Sequence, residues 1–382
     1  MAKSIELYIH IPFCVRKCKY CDFLSAPASD AIIDLYVHQL INEITVQSRF
    51  YTDYTVSSIF FGGGTPSILK SVYITNIMSA IYANWVVEAS AEISLEANPG
   101  TLSEERLLNY KAAGINRLSL GLQSANDNEL RILGRIHSFN DFLESYENAR
   151  SAGFENINVD LMSAIPGQTL QSWKNTLKRV AMLKPEHISA YSLIIEEGTE
   201  FHRLYSSKEG QKLLPGEELD RDMYHATAEV LKEYGFERYE ISNYARRGYE
   251  CRHNTGYWTG AEYLGMGLGA SSYTMNRRFH VERDLENYIH IDMNSDITPL
   301  YEDIQELSLE DRMNEFMMLG LRMTKGVSGA EFAERFNRNM GETYFYVIDK
   351  HIRHGLLEIS NPYVKLTEKG LDLANVVMQD FV

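Results

Sequence analysis

Three cysteines, Cys14, Cys18 and Cys21, are grouped near the start of the chain. A structural metal ion normally has four protein ligands, so three thiolates on one short loop indicate a cluster with one open coordination position. The Cys-x3-Cys-x2-Cys spacing lets three sulfurs reach three corners of a cubane of four irons. A zinc site completed by Cys251 or His10 is the alternative, although zinc sites usually pair two Cys-x2-Cys units across a longer spacer.

A run of three glycines follows the second predicted strand, in Gly62-Gly-Gly-Thr-Pro66. Glycines remove side chains, so that backbone groups can approach a ligand closely. A tight turn explains such a run equally well when it stands alone. Together with the three-cysteine loop, the glycine run indicates a ligand-binding site at the ends of the strands.

Strands and amphipathic helices that alternate from residue 4 to about 246 must position these motifs. The predicted strands are Ile5 to Ile11, Ser58 to Phe61, Glu92 to Glu96, Arg117 to Leu122, Ile157 to Met162, His187 to Ile195 and Arg238 to Asn243. Repeated strand–helix–strand units predict parallel strands with right-handed crossovers, and hence an open sheet or a complete or partial (β/α) barrel. Active residues of such folds gather where the strands end. The cysteine loop, the glycine run, Glu96 and Gln123 all follow or close strands, and Asp160 lies within the fifth.

The rest of the chain differs in character. We predict a (β/α) domain over residues 1–246, a Gly- and Tyr-rich connecting region over 247–300, and a smaller, mostly helical domain over 301–382. Leu356 to Ser360 and Tyr363 to Leu366, joined at Asn361-Pro362, resemble a winged-helix hairpin. Residues 301–382 hold nine Lys or Arg against fourteen Asp or Glu, so a packing or lid module is favoured over a DNA-binding one.

Composition restricts the class of partner. The 382 residues are 45% hydrophobic and 23% charged, which is typical of a folded globular protein. The net charge of 37 − 52 = −15 disfavours nucleic acid and anionic membranes as direct partners. Without a predicted membrane span or a secretory signal, and with only four cysteines, we expect a cytoplasmic protein in a reducing compartment.

The cysteine spacing, the glycine run and the strand–helix alternation together resemble the radical S-adenosylmethionine (SAM) superfamily. That resemblance implies a partial (β/α) barrel, followed here by the smaller winged-helix-like domain, and a [4Fe-4S] cluster on the three cysteines. SAM chelates its open iron, and an electron from the reduced cluster cleaves SAM to a 5′-deoxyadenosyl radical. We expect the aromatic side chain of Tyr20 to shield the sulfurs. The implied SAM-binding residues are Tyr8, Gly63, Gly64, Thr65 and Glu96.

Over nearly its full length the chain is similar to the oxygen-independent coproporphyrinogen III oxidase branch. The similarity lies in Tyr8-x-His-Ile-Pro-Phe-Cys14, Gly62-Gly-Gly-Thr-Pro-Ser67, Leu95-Glu-Ala-Asn-Pro99, Arg117-Leu-Ser-Leu-Gly-Leu-Gln123, Leu133-Gly-Arg-Ile-His137 and Asn158-Val-Asp-Leu-Met162. By this resemblance Gln123, Arg135 and Asp160 match contacts of a second SAM, and whether one or two bind stays open. Two departures weigh against the oxidase reaction: Cys21-Asp22-Phe23 replaces a Cys-Gly-Cys extension, and only seven residues precede Tyr8.

The segment Cys251-Arg-His-Asn-Thr-Gly-Tyr-Trp258 contains His-Asn-x-x-Tyr-Trp, which resembles the haem-binding motif of the HemW haem chaperone family. The resemblance implies that His253 holds haem, which is passed to acceptor proteins, among them respiratory ones. A neutral imidazole is a good haem ligand, and aromatic neighbours suit a porphyrin face. A homodimer and peripheral membrane contact through acceptors are compatible with this prediction. The alternatives are a coproporphyrinogen III oxidase and a radical enzyme acting on another substrate.

Overall fold

The computed structural model describes residues 3–294 and 297–382. Fifteen strands are found in these two ranges. They are β1 (Lys3–Ile11), β2 (Tyr54–Gly63), β3 (Val87–Ala97), β4 (Arg117–Gln123), β5 (Ile157–Ser163), β6 (His187–Ser192), β7 (Glu237–Arg238), β8 (Asn243–Ala245), β9 (Tyr263–Met266), β10 (Ser271–Thr274), β11 (Arg277–Val281), β12 (Tyr301–Glu306), β13 (Val327–Ser328), β14 (Leu357–Ser360) and β15 (Tyr363–Leu366).

The helices alternate with the strands in the first part of the chain and dominate the last. They are α1 (Asp30–Gln47), α2 (Ser71–Asn84), α3 (Glu104–Ala112), α4 (Asp127–Leu133), α5 (Phe139–Ser151), α6 (Leu170–Ala181), α7 (Glu200–Tyr205), α8 (Lys208–Gln211), α9 (Glu217–Glu233), α10 (Arg252–Thr259), α11 (Leu285–His290), α12 (Leu309–Gly320), α13 (Gly329–Phe336), α14 (Met340–Thr343), α15 (Phe345–Arg353), α16 (Glu368–Asp372) and α17 (Ala374–Gln379).

The first six strands form a parallel array in chain order, β1-β2-β3-β4-β5-β6, as the strand–helix alternation predicts. The array continues as one twelve-stranded sheet in the order β12-β11-β10-β9-β1-β2-β3-β4-β5-β6-β8-β7. The two edge strands do not pair with each other, so the sheet is open. The predicted partial (β/α) barrel is therefore confirmed.

Alternation along the strands separates an apolar face from a polar one. Ile5, Leu7 and Ile9 of β1 are fully buried in the main hydrophobic core. Glu6 and Tyr8 alternate with them and face helix α10 and the sheet's concave side. Polar side chains of the next strands, together with Phe60 of β2, line a cavity on this side. One side of the sheet thus carries polar side chains, whereas the other packs into the main core.

Residues 247–300, predicted as a connecting region without periodicity, contain regular structure. Helix α10 is followed by β9, which pairs in parallel with β1, and by the antiparallel strands β10 and β11. The predicted strand Arg238 to Asn243 is wrong in its middle, where the ladder is interrupted. There the Glu240 carboxylate accepts a hydrogen bond from the backbone N–H of Ser242 at 2.8 Å, which forms a turn between β7 and β8.

The last part of the chain has its own core and its own small sheet. Strands β14 and β15 form the predicted hairpin, and β13 adds to it in the order β13-β15-β14. Buried side chains of this region, including Met317, Phe332 and Val377, form a cluster separate from the main core. Across residues 3–294 and 297–382, no helix combines the length and the apolar character needed to cross a bilayer.

Candidate functional site

The cysteine loop follows β1, at the carboxyl edge of the parallel strands. Cys14, Cys18 and Cys21 are all partly exposed free thiols. The Sγ of Cys14 lies 3.5 Å from Oγ1 of Thr65, and the Sγ of Cys18 lies 3.6 Å from Nη1 of Arg135. Within the described ranges, no three His, Cys, Asp or Glu side chains converge on a point suited to a single metal ion.

Arg135 connects the cysteine loop to the end of β4. Its Nη2 donates to Oδ1 of Asn98 and to the backbone oxygen of Gly121, both at 2.5 Å. A Cβ atom built on Gly121 would lie 3.3 Å from Arg135 and 3.3 Å from Nε2 of Gln123, so these two predicted residues are neighbours. The Arg135 guanidinium also offers hydrogen-bond donors that suit a carboxylate.

Gly63 and Glu96 meet beside the cysteine loop. The backbone N–H of Gly63 donates to Oε2 of Glu96 at 3.2 Å. Gly63 has a φ of +111°, and a Cβ atom there would lie 2.5 Å from the His10 ring, so only glycine fits. Burial, reinforced by the charge of Asp160, raises the pKa of Glu96 to about 8. A cationic ligand would lower that pKa again, which suits the ammonium or sulfonium group of SAM.

A second group of predicted residues lines an internal cavity of about 210 Å³ beneath this edge. Asp160 accepts hydrogen bonds from Ser119 Oγ at 3.0 Å and from Asn158 Nδ2 at 2.8 Å. Burial raises its pKa, although these hydrogen bonds oppose the shift. Tyr8 and Glu96 line both this cavity and a larger cleft above it. The structure therefore brings the predicted SAM residues Tyr8, Gly63 and Glu96 together and places Asp160 next to them.

His253 lies on helix α10 and is 1% exposed. Its Nδ1 is hydrogen-bonded to Ser58 Oγ at 2.8 Å, and its Nε2 to the Tyr257 hydroxyl at 2.9 Å. Its ring stacks on Phe60, with 5.2 Å between centroids. Burial, with the nearby charge of Arg117, lowers the pKa of His253 to about 3, so the imidazole is neutral. Both ring nitrogens are occupied, so the observed arrangement does not fit direct ligation of haem iron by His253.

Buried carboxylates fix helix α10 in this position. Glu92 accepts hydrogen bonds from the backbone N–H groups of Arg252 and His253 at 3.1 and 3.3 Å, which satisfies donors at the helix N-terminus. The Cys251 thiol donates to the same carboxylate at 3.4 Å. Glu92 precedes Glu96 by four residues on β3, about 13 Å along the strand. Cys251 is therefore remote from the cysteine loop, and the zinc alternative that needs it has no geometric support.

Several residues of the site escaped prediction. Asn98 bonds both Arg135 and Thr65, and Arg117 is a fully buried cation beside the internal cavity. Both residues lie inside sequence motifs that resemble the oxidase branch, and this location could have marked them as site residues. Glu6, whose carboxylate lies 3.7 Å from Nδ1 of His253, carried no such signal beyond being a charged residue in an apolar strand.

Comparison with known proteins extends these observations. Residues 8–180 match the family model of the radical SAM superfamily, and residues 307–373 match that of the HemN C-terminal domain. A haem chaperone HemW from Bacillus subtilis is 38% identical over 380 residues, with 98% of each chain covered. The chain belongs to the HemW haem chaperone family. The family's Escherichia coli member is 32% identical over 380 residues, covering 99% of this chain and 98% of that one.

The fold also matches a solved structure of a HemW relative. Coproporphyrinogen III oxidase (HemN) from Escherichia coli, described as a radical SAM enzyme, superposes with a TM-score of 0.85. The match covers 100% of this chain and 90% of the other at 23% sequence identity, so it establishes a shared fold. The HemW family and the oxidase therefore use one architecture, and the site residues must distinguish their functions.

Proposed function

We propose that this protein is a cytoplasmic haem chaperone that binds a [4Fe-4S] cluster, SAM and haem, and that delivers haem to acceptor proteins, including respiratory ones. One observation carries the proposal. A cleft of about 530 Å³ is lined both by the SAM candidates Tyr8, Gly63 and Glu96 and by Tyr257 and Trp258 of the haem-motif helix. The residues proposed for the two ligands therefore border one cleft.

Each cofactor has a matching set of side chains. Cys14, Cys18 and Cys21 would hold the cluster, whose open iron supplies the position for SAM. Gly63 offers close approach of its backbone, and the Glu96 carboxyl group suits the positive charge of SAM. Arg135 contributes a partly buried guanidinium near Cys18. Gln123 and Asp160 are not part of the set proposed for the first SAM. They are candidates for contacts to a second SAM.

Haem binding and haem transfer are separable in the laboratory. The protein would be reconstituted anaerobically with iron and sulfide and titrated with haem, with binding followed by the Soret band. His253→Ala is expected to weaken binding, because loss of its bonds to Ser58 and Tyr257 loosens helix α10. Transfer would be measured as movement of the Soret signal to a haem-free respiratory cytochrome b. Absence of haem binding by the wild type would refute the chaperone proposal.

Coproporphyrinogen III oxidase is the second candidate, favoured by the fold match over the whole chain. The reconstituted protein would be incubated with SAM, a reductant and coproporphyrinogen III, and the products identified by mass spectrometry. We expect no repeated turnover. Protoporphyrinogen IX formed over many cycles would show that the protein is an enzyme, and 5′-deoxyadenosine formed only with another metabolite would indicate a different substrate.

A further inference from the structure

One part of the 530 Å³ cleft is lined by the sheet extension and by the last part of the chain. Helix α12 presents one face to it, through Arg312, Glu315, Phe316 and Leu319, which recur at helical spacing. Helix α10, which packs against α12, contributes Tyr257 and Trp258. The volume and the aromatic lining are typical of sites for small organic ligands and cofactors, which occupy clefts of about 300–1,000 Å³.

Cationic side chains line this part of the cleft, although the chain carries a net charge of −15. Arg278, Arg312 and Arg335 line it, together with Glu315. Glu315 forms a bidentate pair with Arg278, with both N–O distances at 2.9 Å. The guanidinium groups of Arg312 and Arg335 are therefore not neutralised by Glu315.

The partners of those two arginines are uncharged. Arg312 donates to Oδ1 of Asn276 at 2.9 Å and to the backbone oxygen of Ser308 at 3.3 Å. Arg335 donates to the backbone oxygens of Thr259 and Gly260, at the C-terminus of helix α10. Within the described residues, no carboxylate lies in ion-pair range of either guanidinium. The cleft thus offers two cations at its rim to a ligand with two carboxylates.

Only some residues of the predicted haem motif line this cleft. Tyr257 and Trp258 line the cleft, whereas His253 lines the internal cavity and lies behind Tyr257, bonded to its hydroxyl. The side chain of Arg322 packs over the Trp258 ring at 4.3 Å and holds it against the last part of the chain. A ligand in the cleft therefore meets the two aromatic residues before it meets the histidine.

From this geometry we infer that haem binds in the part of the cleft lined by helices α10 and α12, with its two propionates directed to Arg312 and Arg335 and its macrocycle against Tyr257 and Trp258. His253 is then a positioning residue that orients Tyr257. The inference rests on the proposed haem-binding function and adds the place and the chemical basis of binding. The porphyrin's two carboxylates match the two guanidinium groups that have only uncharged partners, whereas SAM brings only one carboxylate.

Three variants of the full-length protein test the inference, each titrated with haem and with haem dimethyl ester, in which the carboxylates are blocked. Arg312→Gln is expected to weaken haem binding about fivefold and to leave ester binding unchanged, because it removes one exposed ion pair. Ala261→Phe places a ring in the cleft and should weaken both ligands alike, since Ala261 lines it. Arg221→Gln, an exposed site on α9, is the matched control and should change neither.

The outcomes separate two kinds of failure. If the wild type binds neither ligand, the proposed haem-binding function is wrong. If the wild type binds haem and Arg312→Gln retains its full preference for haem over the ester, the cleft assignment is wrong while haem binding stands. Unchanged binding of both ligands by Ala261→Phe, with an unchanged thermal melting curve, would also overturn the assignment.

Discussion

The four cysteines lie in two contrasting environments. Cys14, Cys18 and Cys21 are partly exposed on a loop at the carboxyl edge of the sheet, whereas Cys251 is 0% exposed at the start of helix α10. Burial raises the pKa of Cys251 to about 12, so it stays a neutral thiol. The first environment can accept a metal cluster, and the second is closed by hydrogen bonds.

The contrast extends beyond the thiols to the regions around them. At the carboxyl edge, Glu96 and Gly63 line an open cleft with room for ligands. Around helix α10, the polar groups of Ser58, Glu92 and His253 bond to one another or to the helix. Chemically similar residues thus line an open cleft in one region and hold a helix in place in the other. Three experiments test this difference.

The largest effect is expected at the cluster. Cys18→Ser should abolish iron and sulfide binding after anaerobic reconstitution, because one of three thiolate ligands is lost. Cys251→Ser is the matched change in the closed region and should retain the full iron and sulfide content. Equal loss of iron in both variants would mean that Cys251 belongs to the metal site and that the two environments are not distinct.

A smaller effect is expected from Gly63→Ala. The new Cβ atom would meet the His10 ring at 2.5 Å, at a φ of +111° that disfavours alanine. We expect SAM affinity, measured by calorimetry on reconstituted protein, to fall about tenfold. Gly216→Ala is the control, because a Cβ atom there meets nothing within 4 Å. Equal SAM affinity in the two variants would remove the glycine run from the binding site.

The smallest effect is expected in the pH dependence of stability, through Glu6 in the closed region around helix α10. Burial, reinforced by the charge of Glu92, raises the folded-state pKa of Glu6 from 4.5 to about 8. A raised carboxyl pKa means that the folded state holds the proton more tightly, so stability is fully present below about pH 4.5 and declines as pH rises towards 8. Glu6→Gln cannot ionise and should lack this decline.

The measurement is urea unfolding at several pH values between 4.5 and 8. The free energy of unfolding of Glu6→Gln relative to the wild type should rise with pH, by at most about 1.4 kcal/mol per unit. Glu229→Gln, an exposed site on α9, should show a constant difference. A constant difference for Glu6→Gln as well would show that the region around Glu6 is hydrated and not closed.

Much of the fold and part of the site could be predicted because their signals are local. The strand Arg117 to Leu122 is found as Arg117–Gln123, and the glycine run follows β2 as expected. Residues 247–300 showed no periodicity because their strands are short and depend on pairing with β1. The interruption of the predicted strand near Glu240 was missed because a side-chain hydrogen bond, which leaves no trace in the pattern of apolar residues, ends the ladder.

The cysteine loop and the architecture could be predicted from the sequence, since cysteine spacing and strand–helix alternation act over a few residues or a few turns. Which residues of the predicted haem motif line the large cleft became clear only from the folded structure. The burial of His253 behind Tyr257 depends on Ser58, which is 195 positions away in the chain. The cationic part of the cleft likewise needs Arg312 and Arg335 to line the same cleft as Tyr257. Such placements result from packing between distant elements, and no local spacing encodes them.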